Sequence, residues 1–154
     1  MLQSHPIQEQ EKPLICAWTY PGEYAVYNLP TYEEMKDRGI GFCSPEREKN
    51  FSTYFEGGEL VGFTNLLEEP NEVFLGVGVR PDCCGQGLGQ KIVQMAAARA
   101  AELYPGKTLY LEVRTWNQRA IRCYEKAGFV RQGAPFKQKT LSGEGLFYRM
   151  ILAR

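Results

Sequence analysis

The sequence predicts a single α/β domain of mixed α+β type that spans residues 1–154. Its middle, between residues 73 and 129, reads as strand, glycine turn, helix, strand and helix, and hairpin-like strand pairs lie on both sides. A chain of 154 residues with 44% hydrophobic content supports one core. We therefore expect one layered domain, in which only residues 1–12 are poorly ordered.

The outer elements are read from hydrophobic alternation and from turn residues. Strands are predicted over Leu14–Tyr20, Phe51–Glu56, Glu59–Leu67, Phe136–Leu141 and Leu146–Leu152. The last four strands form two hairpins, one about Gly57-Gly58 and one about residues 142–145. Between them and the first strand, Thr31 opens a capping box for a short helix that ends near Arg38.

The sequence patterns that predict the central strands and helices are stronger than those of the outer elements. An apolar run, Val73–Val79, predicts a strand, and the apolar stripe that starts at Leu88 predicts a helix that Pro105-Gly106 ends. Thr108–Val113 alternates as a half-buried strand does, which places Glu112 on the face opposite the apolar residues. The next helix is capped by Asn117 and closed by Gly128.

Between the central strand and its helix stand three alternating glycines, Gly85, Gly87 and Gly89. A glycine turn that opens a helix aims several backbone N–H groups and a positive helix end at one point, which suits a pyrophosphate. The loop is not a P-loop, and Gln90 stands where a dinucleotide fingerprint needs its third glycine. A tight turn that holds no ligand is the alternative interpretation.

Two signatures in this segment resemble those of the GNAT N-acetyltransferases, and together they cover roughly residues 73–130. The first is a Val-x-Pro sequence followed by the spacing of Gly87 and Gly89, which resembles the acetyl-CoA loop. The second resembles N-x-x-A-x-x-x-Y-x-x-x-G-F and comprises Asn117, Ala120, Tyr124, Gly128 and Phe129. With Glu112 upstream, this region is most similar to the ribosomal-protein N-terminal alanine acetyltransferases.

The resemblance implies a GNAT fold, with a central mixed and mostly antiparallel sheet that splays between its fourth and fifth strands and about four flanking helices. It implies acetyl-CoA as co-substrate, no metal, and direct transfer of the acetyl group to a primary amine. The acceptor is a small-molecule amine or a peptide N-terminus. A homodimer is a further expectation.

By the same resemblance, residues of the strand, the loop and the second helix bind acetyl-CoA. The backbone of Val77 and Val79 contacts the pantetheine arm, and the Val79 N–H faces the thioester oxygen. The remaining cofactor-binding candidates are Cys84, Gly85, Gln86, Gly87, Leu88, Gly89, Gln90, Asn117 and Tyr124. Cys84 departs from the family pattern, which has Arg or Gln there, so Lys91, Arg119 and Arg122 are candidates to lend charge.

The acyl transfer needs a base for the ammonium and an acid for the departing thiolate. The one histidine, His5, lies outside every motif, so a carboxylate is expected as the base. Glu112 is the first candidate and Glu72 the second, with water as a third route, and Tyr124 is the candidate acid. The alternatives are that Glu112 lies on a solvated face and that Tyr124 is simply a packed helix tyrosine.

The acceptor side is predicted from aromatic and acidic residues before the first hairpin, and these residues serve equally well as core. They are Trp18, Tyr20, Glu23, Tyr24, Tyr27, Tyr32, Glu33, Phe42 and Glu46. Net charge near zero argues against nucleic acid and anionic membranes as partners, and five cysteines without a C-x-x-C favour a reducing, cytoplasmic location. Two other classes stay open, a non-catalytic acyl-CoA-binding module and a small dinucleotide-binding protein.

Overall fold

An eight-stranded sheet runs through the computed structural model, which describes residues 1–153. Its order is β1-β2-β3-β4-β5-β8-β6, with β7 paired to the other part of β8. The strands are β1 Leu2–Pro6, β2 Phe51–Glu56, β3 Glu59–Glu68, β4 Glu72–Val79, β5 Thr108–Arg114, β6 Phe129–Arg131, β7 Phe136–Thr140 and β8 Gly143–Leu152. Every pair is antiparallel except β4 with β5, which confirms the mixed, mostly antiparallel sheet.

Within residues 1–153, four α-helices flank the sheet, as predicted: α1 Lys12–Cys16, α2 Tyr32–Arg38, α3 Leu88–Leu103 and α4 Gln118–Lys126. The buried stripe of α3, which includes Ile92, Val93 and Ala96, packs on one face of the sheet and α4 joins the same core. The helices α1 and α2 share a second core with the opposite face. Asn117 caps α4 as expected, because its Oδ1 accepts a hydrogen bond of 3.1 Å from the Ala120 N–H.

The sheet opens between β4 and β5. Their parallel ladder holds only from Glu72 opposite Thr108 to Phe74 opposite Tyr110, and Leu75–Val79 has no ladder partner on that side. The predicted splay between the fourth and fifth strands is therefore confirmed. We call the opening between the separated ends of β4 and β5 the gap.

The N-terminal segment differs from the prediction. Leu14–Tyr20 was expected to be a strand, but the chain forms α1 over Lys12–Cys16 and leaves the sheet. Pro13 in the first turn favours a helix start, and the sheet edge that a strand would need is taken by β1. A short apolar run does not by itself distinguish helix from strand.

Residues 1–12 were expected to be poorly ordered, whereas β1 pairs with β2 and the following carboxylate is buried. The pattern of β1 is polar and lacks alternation, so its order comes from backbone pairing that sequence periodicity does not report. Glu11 is 5% exposed and its carboxylate accepts hydrogen bonds from Thr53 Oγ1 (2.9 Å) and the Gln8 N–H (2.8 Å). His5 contacts the same carboxylate at 2.6 Å.

The C-terminal hairpin has a tighter turn than predicted. Thr140 pairs with Gly143, so the connection consists of Leu141 and Ser142 rather than residues 142–145. Gly143 adopts a φ of 109°, which a glycine accepts without strain. The early hairpin about Gly57-Gly58 is confirmed.

Within residues 1–153 no helix has both the length and the apolar character needed to cross a bilayer. The same residues contain no group of three His, Cys, Asp or Glu side chains arranged to hold a metal ion.

Candidate active site

A cavity of about 590 Å³ occupies the gap and reaches both faces of the sheet. A volume of this size lies in the range of ligand-binding cavities. Most of the residues predicted to bind or react line it together: Val77, Val79, Cys84, Gly85, Gly87, Gly89, Gln90, Glu112, Asn117 and Tyr124. The remaining candidates, Glu72, Gln86 and Leu88, do not line it.

The backbone of β4 presents hydrogen-bonding groups to the gap. The Arg80 N–H donates to the Val61 carbonyl of β3 at 2.8 Å. Backbone groups alternate in direction along a strand, so those of Gly78 and Gly76 also point toward β3. Val77 and Val79 lie between them and therefore direct their N–H and C=O groups toward β5, where the ladder has stopped. The Val79 carbonyl is taken by the Tyr20 hydroxyl at 2.7 Å.

The glycine loop forms the second wall. Gly85 and Gly87 have φ angles of 82° and 80°, which only glycine adopts readily. Lys91 is the first residue of α3 whose N–H donates a hydrogen bond within the helix, and it donates to the Gly87 carbonyl at 3.4 Å. The preceding N–H groups and the positive end of a 16-residue helix are thus available to an anion.

Gly89 has a different role from the other two glycines of the loop. A Cβ at this position would stand 3.2 Å from Cys123 Sγ, so the residue lets α4 approach α3 closely. Gln86 donates its side-chain amide to the Asp82 carbonyl, and Leu88 packs in the core beside Tyr54 and Ile92. Only the backbone of Gln86 and Leu88 is therefore left for a ligand at the loop.

Cys84 is half-buried, and its side chain points back toward the end of β4. Its Sγ lies 3.6 Å from the Arg80 carbonyl and 3.7 Å from that of Val79, and burial raises the pKa of its thiol. Positive charge at this end of the cavity comes instead from α4, where Arg119, Arg122 and Lys126 line the wall. Lys91, a candidate for the same role, does not line it.

Tyr124 lies on α4 at the inner end of the cavity. Burial raises the pKa of its phenol above the ordinary value, so the hydroxyl stays protonated through neutral pH. No residue in the described range 1–153 bonds to that hydroxyl, although its ring contacts Phe129 with centroids 6.4 Å apart. Nearby, Asn117 donates its side-chain amide to the Tyr27 hydroxyl at 2.9 Å while its oxygen caps α4.

Glu112 enters the cavity from the opposite face of the sheet. It lies on β5 between Tyr110 and Arg114, on the face away from α3, and it is half-buried. Gln138 of β7 donates to its Oε1 at 3.0 Å. The solvated-face alternative for this carboxylate therefore does not describe its surroundings.

Glu72 lies outside the cavity, at the closed end of the β4–β5 pair. Its carboxylate accepts two hydrogen bonds from the Arg149 guanidinium, at 3.3 and 2.5 Å. The sequence suggested it as an alternative base because it precedes the central strand. The direction in which the sheet splays, which the sequence does not specify, separates it from the site.

Only some of the predicted acceptor residues line the cavity. Trp18, Tyr20 and Tyr27 line the cavity, whereas Phe42 is buried in the second core and Tyr32 bonds to Glu9. Sequence reasoning missed the cavity residues Phe63, Asn65 and Arg114. Alternation along β3 and β5 would have found them once the order of the strands in the sheet was known.

Comparison with known proteins identifies a family for this arrangement. Residues 13–129 match the family model described as the acetyltransferase (GNAT) family. The chain is similar to an N-alpha-acetyltransferase of Sulfurisphaera tokodaii, 29% identical over 120 residues that cover 71% of this chain and 65% of the relative. It is also similar to N-alpha-acetyltransferase RimI of Mycobacterium tuberculosis, 32% identical over 92 residues that cover 56% of each. The matched region thus spans less than two thirds of these relatives.

Solved structures share the fold at lower identity. The ribosomal-protein-S18-alanine N-acetyltransferase of Escherichia coli aligns with a TM-score of 0.68 and 23% identity, covering 99% of this chain and 93% of its own. Spermidine N-acetyltransferase of Vibrio cholerae, in complex with CoA and spermine, aligns with a TM-score of 0.78 and 16% identity, covering 98% and 94%. The mostly antiparallel sheet also excludes the parallel dinucleotide-binding fold that the sequence left open.

Proposed function

The chain belongs to the GNAT family of acetyltransferases, and on that premise we propose that it transfers an acetyl group from acetyl-CoA to a primary amine. The observation that carries the proposal is that one continuous cavity in the gap joins the glycine loop, Tyr124 and Glu112. An acceptor on the Glu112 face and a donor on the α3 face would meet there. The acceptor is a small-molecule amine or a peptide N-terminus.

The donor site fits coenzyme A in two respects. The backbone groups of Val77 and the N–H of Val79 face the gap and suit the amides of an extended pantetheine arm, in the manner of an added strand. The N–H groups around Gly87, the helix end and the cations Arg119 and Arg122 suit a pyrophosphate, so the site does not depend on Cys84. Bound acetyl-CoA would supply the activated acyl group as a thioester.

The proposed proton movements use one residue from each face. Glu112 takes a proton from the acceptor ammonium, and the free amine then forms the new N–C bond as the C–S bond breaks. Tyr124 gives its hydroxyl proton to the departing sulfur, and a hydroxyl that is protonated at neutral pH and has no other partner within residues 1–153 supports this role. The proton that the amide nitrogen sheds goes to solvent, as does the one on Glu112, and Tyr124 regains its own from solvent.

Steady-state kinetics of three variants tests this proposal. Glu112→Gln and Tyr124→Phe are expected to lower kcat by roughly 10²- to 10⁴-fold with unchanged CoA affinity, and Glu112→Gln also changes the pH–rate profile. Glu72→Gln is the matched control, because its carboxylate lies outside the cavity. If Glu72→Gln loses turnover and Glu112→Gln keeps it, the base assignment is wrong.

Thiol release with a panel of amines tests the activity itself. CoA binding without release above the Tyr124→Phe level would indicate the non-catalytic acyl-CoA-binding module. The free state of the cysteines among residues 1–153 supports a reducing, cytoplasmic location as part of the proposal. The homodimer stays a prediction, which a light-scattering mass measurement checks.

A further inference from the structure

Three residues on neighbouring strands form a row across the acceptor face of the cavity. Asn65 of β3 stands opposite Gly76 of β4. The parallel register of β4 with β5, continued from Phe74 opposite Tyr110, brings Glu112 level with Gly76. Since strands lie about 4.8 Å apart, Asn65 and Glu112 flank a space about 10 Å wide, or wider where the sheet splays. We call this space above Gly76 the slot.

Aromatic rings bound the slot along the strands. On one side the Phe63 ring lies across Gly78, where an added Cβ would stand 2.7 Å from its Cζ. On the other side Phe74 and Tyr110 meet edge to face with centroids 5.5 Å apart. Gly76 has only ordinary contacts and no side chain, so the slot keeps an open floor. Aromatic side chains beside a carboxylate suit an amine carried on an apolar group.

Asn65 brings an unsatisfied acceptor to this space. Its Oδ1 is buried, and no group within residues 1–153 hydrogen bonds to it. A buried carbonyl oxygen without a donor is costly, and such groups in folded proteins usually have a partner. Across the slot, Glu112 uses Oε1 for Gln138. An amine placed between the two side chains would donate to both Asn65 Oδ1 and the Glu112 carboxylate.

The charges around the cavity limit how many ammonium groups an acceptor can carry. Glu112 is the only carboxylate among the described residues that line it. On the same face, two positions further along β5, Arg114 is 7% exposed and its guanidinium lies 4.9 Å from the Phe147 ring centroid. A second ammonium would meet this buried positive charge or the aromatic walls, and neither offers it a counter-charge.

We propose that the acceptor amine binds in the slot between Asn65 and Glu112, and that the acceptor carries one ammonium group on an apolar body. This rests on the proposed function and specifies its substrate class. Polyamines and amino sugars, which carry several ammonium groups, are poor acceptors. Asn65 orients the amine and is a specificity residue, while Glu112 keeps the proton-transfer role.

Calorimetric binding to the CoA-saturated protein, measured beside thiol release from acetyl-CoA, tests the inference. The ligands are 2-phenylethylamine, a peptide amide with an apolar N-terminal residue, spermidine and kanamycin. Either of the first two is expected to bind at least about 10-fold more tightly than spermidine and kanamycin, and whichever binds identifies the source of the amine. Equal or tighter binding of spermidine or kanamycin overturns the inference, and so does failure of both monoamines to bind. Thiol release with any amine upholds the transferase activity independently.

Substitutions at Asn65 test the residue assignment. Asn65→Leu removes the acceptor oxygen and is expected to weaken monoamine binding roughly 10- to 100-fold without changing CoA affinity, whereas Asn65→Asp retains binding. Asn71→Leu, in an exposed turn outside the cavity, is the matched control. Monoamine binding by Asn65→Leu that equals the wild type overturns the assignment.

A second variant keeps the test decisive if Asn65→Leu fails to fold. Gly76→Ala puts a methyl group on the floor of the slot while meeting neighbours only at 3.5 Å. It is expected to fold, to bind CoA normally and to bind monoamines at least 10-fold more weakly. Normal monoamine binding by Gly76→Ala would place the amine elsewhere.

Discussion

A methyl group added at Gly78 is expected to destabilise the protein through one aromatic ring. The new Cβ would stand 2.7 Å from Phe63 Cζ and 3.0 Å from Cδ1, and closer still to Cε1, whereas carbon atoms pack at about 3.5–4.0 Å. The ring must therefore move by roughly 1 Å. Trp18, Phe42 and Phe51 border the ring with centroids 6.1 to 6.4 Å away, so it can move only toward the cavity that it lines and out of its packed position.

The size of the effect follows from overpacking. Forcing a methyl group into a packed core costs about 1–3 kcal/mol, and each kcal/mol lowers Tm by about 2–4 °C in a domain of 150–250 residues. Gly78→Ala should thus lower Tm by roughly 2–12 °C in thermal unfolding followed by circular dichroism. Gly76→Ala is the matched control, since its Cβ would meet Asn65 and Phe74 at an ordinary 3.5 Å.

Neither glycine has a positive φ, and both substitutions reduce unfolded-state entropy equally, so the difference between them isolates the clash. Trimming the ring with Phe63→Leu in the Gly78→Ala background should recover much of the loss, and a double-mutant cycle measures the coupling. Equal Tm values for Gly76→Ala and Gly78→Ala would refute this account of the close packing.

Three further outcomes are expected. Asn117→Ala removes the cap of α4 and the hydrogen bond to Tyr27, and should lower the free energy of unfolding in urea by about 1–2 kcal/mol. Arg122→Gln should weaken CoA binding and flatten its salt dependence, while Lys91→Gln, outside the cavity, should change neither in the same titrations. Burial raises the pKa of Cys16 from 9.0 to about 11, so the folded state holds this proton more tightly than the unfolded state does. That contribution to stability is complete below pH 9, is lost as the pH rises toward 11, and should vanish from the pH–stability curve of Cys16→Ala.

The sequence predicted those parts of the fold in which local pattern and tertiary structure agree. The strand before the glycine loop, the stripe of α3 and the Asn117 cap are specified within a few residues, and the structure has all three. The strand predicted over Leu14–Tyr20 is wrong, because a short apolar run does not show which sheet edge is free to pair with it. Backbone pairing with β2 holds β1 in an ordered strand, and hydrophobic periodicity does not report such pairing.

The sequence predicted which residues within each motif belong to the site, but not which residues of other strands join them there. The motif residues from Val77 to Tyr124 were named from the resemblance of two sequence signatures to those of a known family, and most of them line one cavity. The sequence ranked Glu112 ahead of Glu72 but could not place either residue, because only the direction of the splay puts Glu112 in the cavity and Glu72 outside it. Asn65 belongs to no motif and enters the site only through the pairing of β3 with β4.

The hydrogen bond from Tyr20 to the Val79 carbonyl has a consequence for solubility. A strand with unpaired backbone groups is a template on which a foreign strand can add, and β4 exposes such groups in the middle of the sheet. The Tyr20 hydroxyl satisfies the carbonyl at the open end of this edge, and α4 and the segment around Tyr27 enclose the rest. The edge is thereby protected against aggregation by strand addition, yet remains wide enough for a narrow, extended small molecule.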